Sequence, residues 1–486
     1  MKKSRIIKRD HEWMHDPRNS RFFIRRHPWI SAAVLLTAVV LLCIQYFYWW
    51  RYTPVEVSAE NFPDRVFRSY VLKSIDRDED GILSRQELMD VKKIDVSSSR
   101  FKLIDTDGSR VTINEEEEAI TDLKGIEYFP NLEELDCSFN DLIQLDVSHN
   151  RALKKLIVHG NELTTLDVSH NKELVELDCS GIYYDLSGSE QVVSFTPNGN
   201  LTELDVSNNK KLEQLACVGQ KLTKLDVRKN KNLKTLYCYA NYLTELNLSG
   251  ATSLEELDCG YNLLTTLDVS HNRALISLDC ARNQLTSIVL NQNLALSELT
   301  CSYNNLTALD LSQAPALSEL VCDNNRLAEL DTHLNTGLVK LHCGYNNLSA
   351  LNVSSNMNLE GLSCEYNPIN ELDVEQCTLL TGLTLDHTNV SELDVSANTE
   401  LRFLSYWGSK VTQLDITACW LLEELHSDRP GLVTGLRRRS CSVQTEKEYL
   451  QEKQERAEKW TENAAKLAAE KAAQKATERA SKLYGN

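Results

Sequence analysis

A unit of 21 residues, Leu-x-x-Leu-x-Cys-x-x-Asn-x-Leu-Thr-x-Leu-Asp-Val-Ser-x-Asn-x-x, recurs from Leu132 onward and restricts the fold of this 486-residue chain more than any other feature. Its cysteine position falls at 137, 158, 179, 217, 238, 259, 280, 301, 322, 343, 364, 385, 406 and 427, which makes fourteen units. The phase breaks once, between 179 and 217, where the step is 38 residues and 17 extra residues loop out around 181–199. A unit this short cannot bury its own apolar edge. Units must stack, each walling the next, around one continuous core.

Each recurring place in the unit has a physical task. Leu132, Leu135, Leu142 and their equivalents fill the interior. The Leu-Asp-Val-Ser stretch, with Leu145 and Val147 inward and Asp146 outward, suggests extended backbone on the return side, where 21 residues leave little room for a helix. One asparagine series (Asn140, Asn161, Asn241, Asn262 and on to Asn367) and a second (Asn150, Asn171, Asn209, Asn230 and on to Asn398) occupy the two turns. There an amide can bond the backbone groups of neighbouring coils. The pattern is that of a leucine-rich-repeat solenoid: parallel β, right-handed coil, 21-residue units over residues 126–436.

Cysteine fills ten of the fourteen strand positions, with Val158, Leu385, Tyr406 and Ser427 in the others. Apolar substitutes and an inward register point to core thiols. Neighbouring strands about 4.8 Å apart with parallel side-chain vectors are poorly placed for disulfides. A linear ladder also lacks the tetrahedral convergence a metal needs. Cys377 and Cys419 sit instead in the second asparagine series.

Ahead of the repeat the chain changes character twice. Residues 1–28 hold nine basic and three acidic side chains, while the whole chain nets −18. Residues 29–50 are almost wholly apolar from Ile30 to Ile44 and end in Tyr46-Phe-Tyr-Trp-Trp50. A stretch of roughly 20 such residues spans a bilayer as a helix, with aromatics at the interface. The cation bias puts the tail in the cytoplasm and everything past Arg51 outside a plasma membrane crossed once. Val57-Ser58-Ala59 lies too far beyond the apolar core for a cleavage site. The long acidic part excludes a nucleic-acid surface, which needs clustered cations.

Asp76-Arg-Asp78-Glu-Asp80-Gly81-Ile82-Leu83-Ser84-Arg-Gln-Glu87 matches the twelve-residue EF-hand calcium loop. The pattern supplies Ca²⁺ with carboxylates from Asp76, Asp78 and Asp80, the Ile82 carbonyl, Ser84 directly or through water, and a bidentate Glu87. Helical spacing flanks it: Val66, Phe67, Tyr70 and Val71 before, Leu88 and Val91 after. The loop would be a structural clip, weak and suited to millimolar extracellular calcium. Residues 51–98 form this cap. In 99–125, Asp105-Thr-Asp107-Gly108 lacks the later ligands and reads as a hairpin turn.

Aromatic side chains recur beside the cysteine position: Phe139, Tyr261, Tyr303, Tyr345 and Tyr366 just after it, with Tyr237, Tyr239 and Trp407 adjacent. Asp136, Asp178, Asp258 and Asp279 come just before it. Read as outward residues of the main strand, they form a candidate partner-binding surface, since Tyr and Trp give large contact area at low entropy cost. Strand propensity and duplication explain the same tyrosines. A row of aspartates from Asp146 to Asp415 on the opposite face needs cations or turn amides to relieve its repulsion; turn amides are the more ordinary answer.

The repeat with its cysteine ladder resembles the internalin-J-like leucine-rich-repeat surface proteins of Gram-positive bacteria over residues 126–436. The segment from Asn61-Phe-Pro-Asp64 to Lys124-Gly-Ile-Glu-Tyr-Phe129 looks like their helical, EF-hand-related cap. The resemblance implies a surface-exposed solenoid for adhesion or recognition of a protein or glycan. Unlike wall-anchored members, this sequence ends in Tyr484-Gly-Asn486 without a sorting signal, so a role in host invasion is not carried over.

An enzyme is the least favoured reading. His11-Glu12-Trp13-Met14-His15 spells H-E-x-x-H, but in a short basic tail with Asp16-Pro17 following and no cleft to complete a zinc site. Residues 437–486 open with Arg437-Arg-Arg439, and from Glu446 are rich in Ala, Lys and Glu and expected to be helical. Ala457, Trp460, Ala464 and Leu467 form a seam able to self-associate. An envelope sensor or assembly factor working through that helix is the alternative to a solenoid that recognises partners.

Overall fold

The computed structural model describes residues 40, 53–98, 103–104, 110–111, 118–181, 199–428, 432–436, 442–445, 447–448 and 451. The expected membrane span at 29–50 lies outside these except for Val40, as do the H-E-x-x-H pentapeptide and nearly all of the C-terminal segment. Among the described residues no helix is long and apolar enough to cross a membrane.

Alternation of side chains in Glu-Leu-x-Cys buries the leucine and the cysteine and turns their neighbours outward, so one strand forms per unit. Sixteen three-residue strands stack in a single parallel sheet, from Lys93–Asp95 through Glu134–Asp136 to Ser442–Gln444. The register advances by one repeat: Leu257 pairs with Leu236 on one side and Leu278 on the other. Glu176–Asp178 pairs directly with Gln214–Ala216, so the 17 extra residues leave the sheet unbroken. The sheet reaches past the repeat at both ends, since Lys93–Asp95 joins Glu134–Asp136 and Ser442–Gln444 joins Glu424–His426. On the return side the backbone is extended, and it makes parallel ladders only at Lys224–Asp226 with Glu245–Asn247, Thr266–Asp268 with Ser287–Val289, and Leu414–Asp415 with Val433–Thr434 among the described residues.

The core is one continuous leucine column lined by ten cysteines, all free thiols and all buried. Burial pushes their ionisation far up, to about 12 for Cys217, so they behave as small apolar side chains. The turns are closed by the two asparagine series. In the first, Asn262 Oδ1 accepts from the Leu243 N–H at 2.9 Å, and its Nδ2 donates to the Cys238 and Cys259 carbonyls at 3.0 and 3.1 Å. In the second, Asn230 Nδ2 donates to the Val206 and Asn209 carbonyls of the preceding coil, both at 2.9 Å. Cys377 replaces that amide with a thiol donating to the Val353 carbonyl at 3.6 Å. The aspartate row is satisfied locally: Asp268 Oδ1 accepts from the Ser270 N–H at 2.9 Å, and the same bond recurs at Asp146, Asp167, Asp310 and Asp394.

The first coil is covered by a small helical unit. Helix α1 (Arg65–Ser74) starts at Asp64, whose Oδ1 accepts from the Val66 and Phe67 N–H groups. A second helix, α2 (Arg85–Asp90), begins with a reciprocal Ser84–Glu87 cap. Strand β1 (Val55–Glu56) pairs antiparallel with β2 (Ile82–Leu83). Phe62, Phe67, Val71, Leu83 and Leu88 are fully buried and join Ile126 and Phe129 in the same core. Gly125 (φ 106°) makes that contact possible: a Cβ there would lie 2.3 Å from the Phe62 ring. Between cap and repeat, Leu103–Ile104 and Arg110–Val111 pair antiparallel.

Candidate cation loop and recognition surface

The turn between α1 and α2 gathers three carboxylates. Oxygens of Asp76, Asp78 and Asp80 all lie within 4.8 Å of one another, the one such cluster among the described residues. Gly81 (φ 79°) turns the chain, its N–H donating to Asp76 Oδ2 at 2.9 Å, while Ile82 N–H donates to Asp80 Oδ1 at 2.7 Å. Asp76 is buried and its Oδ1 has no hydrogen-bond partner. An oxygen so placed suits a hard cation. The Asp78 carboxyl is pushed up by desolvation, then by Asp80 and Glu87. Glu87 is otherwise engaged: one oxygen accepts from the Arg77 N–H at 2.6 Å, the other from the Ser84 N–H and hydroxyl at 2.8 Å. Ser84 and Glu87 are thus brought together by the helix cap, beside the three aspartates.

The aromatic residues stand elsewhere than on the strand. The strands end one residue before the cysteine, and only Tyr237 belongs to one (Thr235–Tyr237). Phe139, Tyr261, Tyr303, Tyr345 and Tyr366 occupy the second residue after the cysteine with φ between 51° and 57°, in the left-handed region. They line the turn at the edge of the sheet, where the N–H of Tyr261 still bonds the Ala281 carbonyl of the next coil at 2.9 Å. Gly160, Gly219 and Gly408 take the same conformation at the same place, as do Ala240, Arg282, Asn324 and His387. Glycine at 160, 219 and 408 was the signal in the sequence for a left-handed turn, which the recurrence of tyrosine at the same place concealed.

Trp407 is a second correction. It is buried, one residue earlier in the turn, because Gly408 takes the left-handed place. Its ring lies flat on His426 at 4.6 Å and its indole N–H donates to the Gln444 carbonyl at 3.2 Å, which makes it part of the closing coils. Phe139, Tyr237, Tyr239 and Tyr261 are half-buried. Tyr303, Tyr345 and Tyr366 are exposed.

The exposed turn is a ladder of stacked planar groups. Tyr345 and Tyr366 stack at 4.3 Å and Tyr366 and His387 at 4.4 Å. The Arg282 guanidinium sits between two tyrosines, 5.1 Å from the Tyr261 ring centre and 4.0 Å from that of Tyr303. Arg282 and His387 share the tyrosine position, and nothing in the recurrence of Phe, Tyr and Asp beside the cysteine singles them out. Beside the ladder run carboxylates in crowded positions. Burial and then Asp279 push Asp258 up to about 7. Burial and then Glu365 do the same to Asp323, and burial brings Asp386 to about 6. At Asp178 burial acts upward, but bonds from His159, at 3.0 Å, and Ser180 outweigh it and hold the carboxyl low.

No protein-family model and no curated protein matches the chain. Solved structures do. The functional domain of InlJ from Listeria monocytogenes, which includes a cysteine ladder, is 31% identical with a TM-score of 0.65, covering 81% of this chain and 77% of that one. A leucine-rich-repeat protein of Leptospira interrogans shares the fold at 22% identity and TM-score 0.56, over 74% of this chain and 97% of its own. An internalin (inlF) of Listeria monocytogenes does so at 20% identity and TM-score 0.54, over 77% and 98%. With the 21-residue coil, the buried cysteine ladder and this level of identity, the chain belongs to the internalin-J-like leucine-rich-repeat proteins.

Proposed function

We propose that the chain is a recognition protein that binds a protein partner along the turn edge of its solenoid, and that it has no catalytic role. The observation that carries this reading is the ladder of exposed rings and desolvated carboxylates presented in register by a sheet of sixteen strands. Such groups are held rigid before binding, so little entropy is lost when a partner docks. Residues 29–50 serve as a single-pass anchor with the basic tail inside and the solenoid beyond the lipid, consistent with their composition. Calcium occupies the cap loop as a structural clip. The unpartnered Asp76 Oδ1 and the neighbouring carboxylates of Asp78 and Asp80 fit that ion. The Ile82 carbonyl and Ser84 follow in the pattern, and Glu87 joins the set when the ion draws its carboxylate away from the Arg77 and Ser84 N–H groups.

A photo-crosslinking residue placed at Tyr303 in the full chain tests the recognition surface. It is expected to trap a discrete partner at the cell envelope, whereas the same residue at Glu203, on the return side, traps none. Equal capture from both positions, or from neither, overturns the reading.

A further inference from the structure

The ring ladder is interrupted at one place, and the interruption has a definite size. One coil separates stacked neighbours, as the 4.3 Å between Tyr345 and Tyr366 shows. Tyr303 and Tyr345 are two coils apart, and between them stands Asn324, also left-handed (φ 55°), whose amide carries no ring. Two strand spacings come to about 9.5 Å, enough for one planar group between two facing rings. The adjacent slot shows what fills such a space: Arg282, between Tyr261 and Tyr303.

Charge gathers beside the gap, at Gly344. Asp323, next to Asn324, accepts the Gly344 N–H at 2.6 Å, and Glu365 leans over the same glycine, where a Cβ would lie 2.6 Å from its Oε1. Ser363 holds the other Glu365 oxygen at 2.6 Å. Two carboxylates therefore converge directly before Tyr345. At the adjacent slot the chain itself supplies the cation, Arg282.

We infer that the gap at Asn324 receives an arginine side chain of the protein partner, its guanidinium stacking between Tyr303 and Tyr345 and pairing with Asp323 and Glu365. This rests on the recognition reading above and names the chemistry of its central contact. Arginine fits because it is planar, stacks on aromatic faces and pairs with carboxylates through a rigid fork. Lysine is a point charge that leaves the slot unfilled. A neutral sugar or an aromatic ring leaves the carboxylates unpaired.

The test uses the full chain with dye-labelled Ac-(Gly-Arg)3-NH2 and Ac-(Gly-Lys)3-NH2, of equal charge, at physiological ionic strength. The arginine peptide is expected to bind about fivefold more tightly. Asn324→Arg fills the slot from within, as Arg282 fills its neighbour, and is expected to abolish that preference while leaving the melting temperature unchanged or raised. Tyr345→Ala should abolish it too. Equal binding of the two peptides, or a preference that survives Asn324→Arg, overturns the assignment. If the preference is absent while Tyr303 still crosslinks its partner, the slot alone fails; if the crosslink is also lost, the wider recognition reading fails with it.

Discussion

Asp323 and Glu365 reach toward each other across Gly344 at the cost of desolvating Asp323, and this gives the stability of the solenoid a definite pH dependence. The Asp323 carboxyl is raised to about 7, against an unfolded value of about 4. A group raised in the folded state favours folding while protonated; that contribution is complete below about pH 4 and lost as pH climbs through about 7. Asp258 and Asp386, raised to about 7 and about 6, act in the same direction. The serine-bonded aspartates, Asp146 and Asp268 among them, are lowered and lose their contribution only in acid. Asp323→Asn keeps an oxygen for the Gly344 N–H and removes the charge. Its melting temperature should exceed that of the parent at about pH 8 and match it near pH 4.5. A loss of stability at the higher pH, or equal gains at both, would contradict the account.

The elements differ in how far each could be read from sequence. The coil was legible almost position by position, because a repeat averages fourteen copies of one environment: inward Leu and Cys, bonding Asn, and Asp capped by the serine two residues on. The cap loop was legible as a cluster of aspartates, though not the occupation of Glu87 by α2, since a capping box and a calcium ligand use the same carboxylate. Backbone sign was illegible at the tyrosines. Spacing places side chains in register but says nothing of φ, and tyrosine is an uncommon choice for a left-handed residue. The cap, as an element, carries its own prediction. The loop joins α1 and α2, whose buried faces cover the first coil, so an ion bound there should stabilise the whole chain by mass action, about 1–3 kcal/mol at ten- to hundredfold excess over its dissociation constant. Millimolar calcium is expected to raise the melting temperature, chelation to lower it, and Asp76→Ala to erase the difference. A melt indifferent to calcium in the parent chain would remove the clip.

For the molecule as a whole, the controlling fact is that coils touch only their neighbours, so a solenoid can lose a complete unit and close up. Deleting residues 313–333, one 21-residue period, joins Ser312 to Leu334 with each residue falling on the place of the one removed. Leucine meets leucine, and the sheet continues one strand shorter. The shortened chain should keep its circular-dichroism signal per residue and its cooperative melt, and lose only the small stability of one interface. A deletion of half that length would bring leucines against solvent-facing positions and unfold the stack. The in-phase deletion also removes Asn324, so that Tyr345 arrives one coil from Tyr303, the separation at which Tyr345 and Tyr366 stack at 4.3 Å. The gap is then closed by the chain itself, and discrimination between arginine and lysine peptides should disappear from a protein that is otherwise folded. Retention of that discrimination in the shortened chain would place the arginine site away from Asn324, and a collapse of the melt would show that the coils are not the interchangeable units their register makes them.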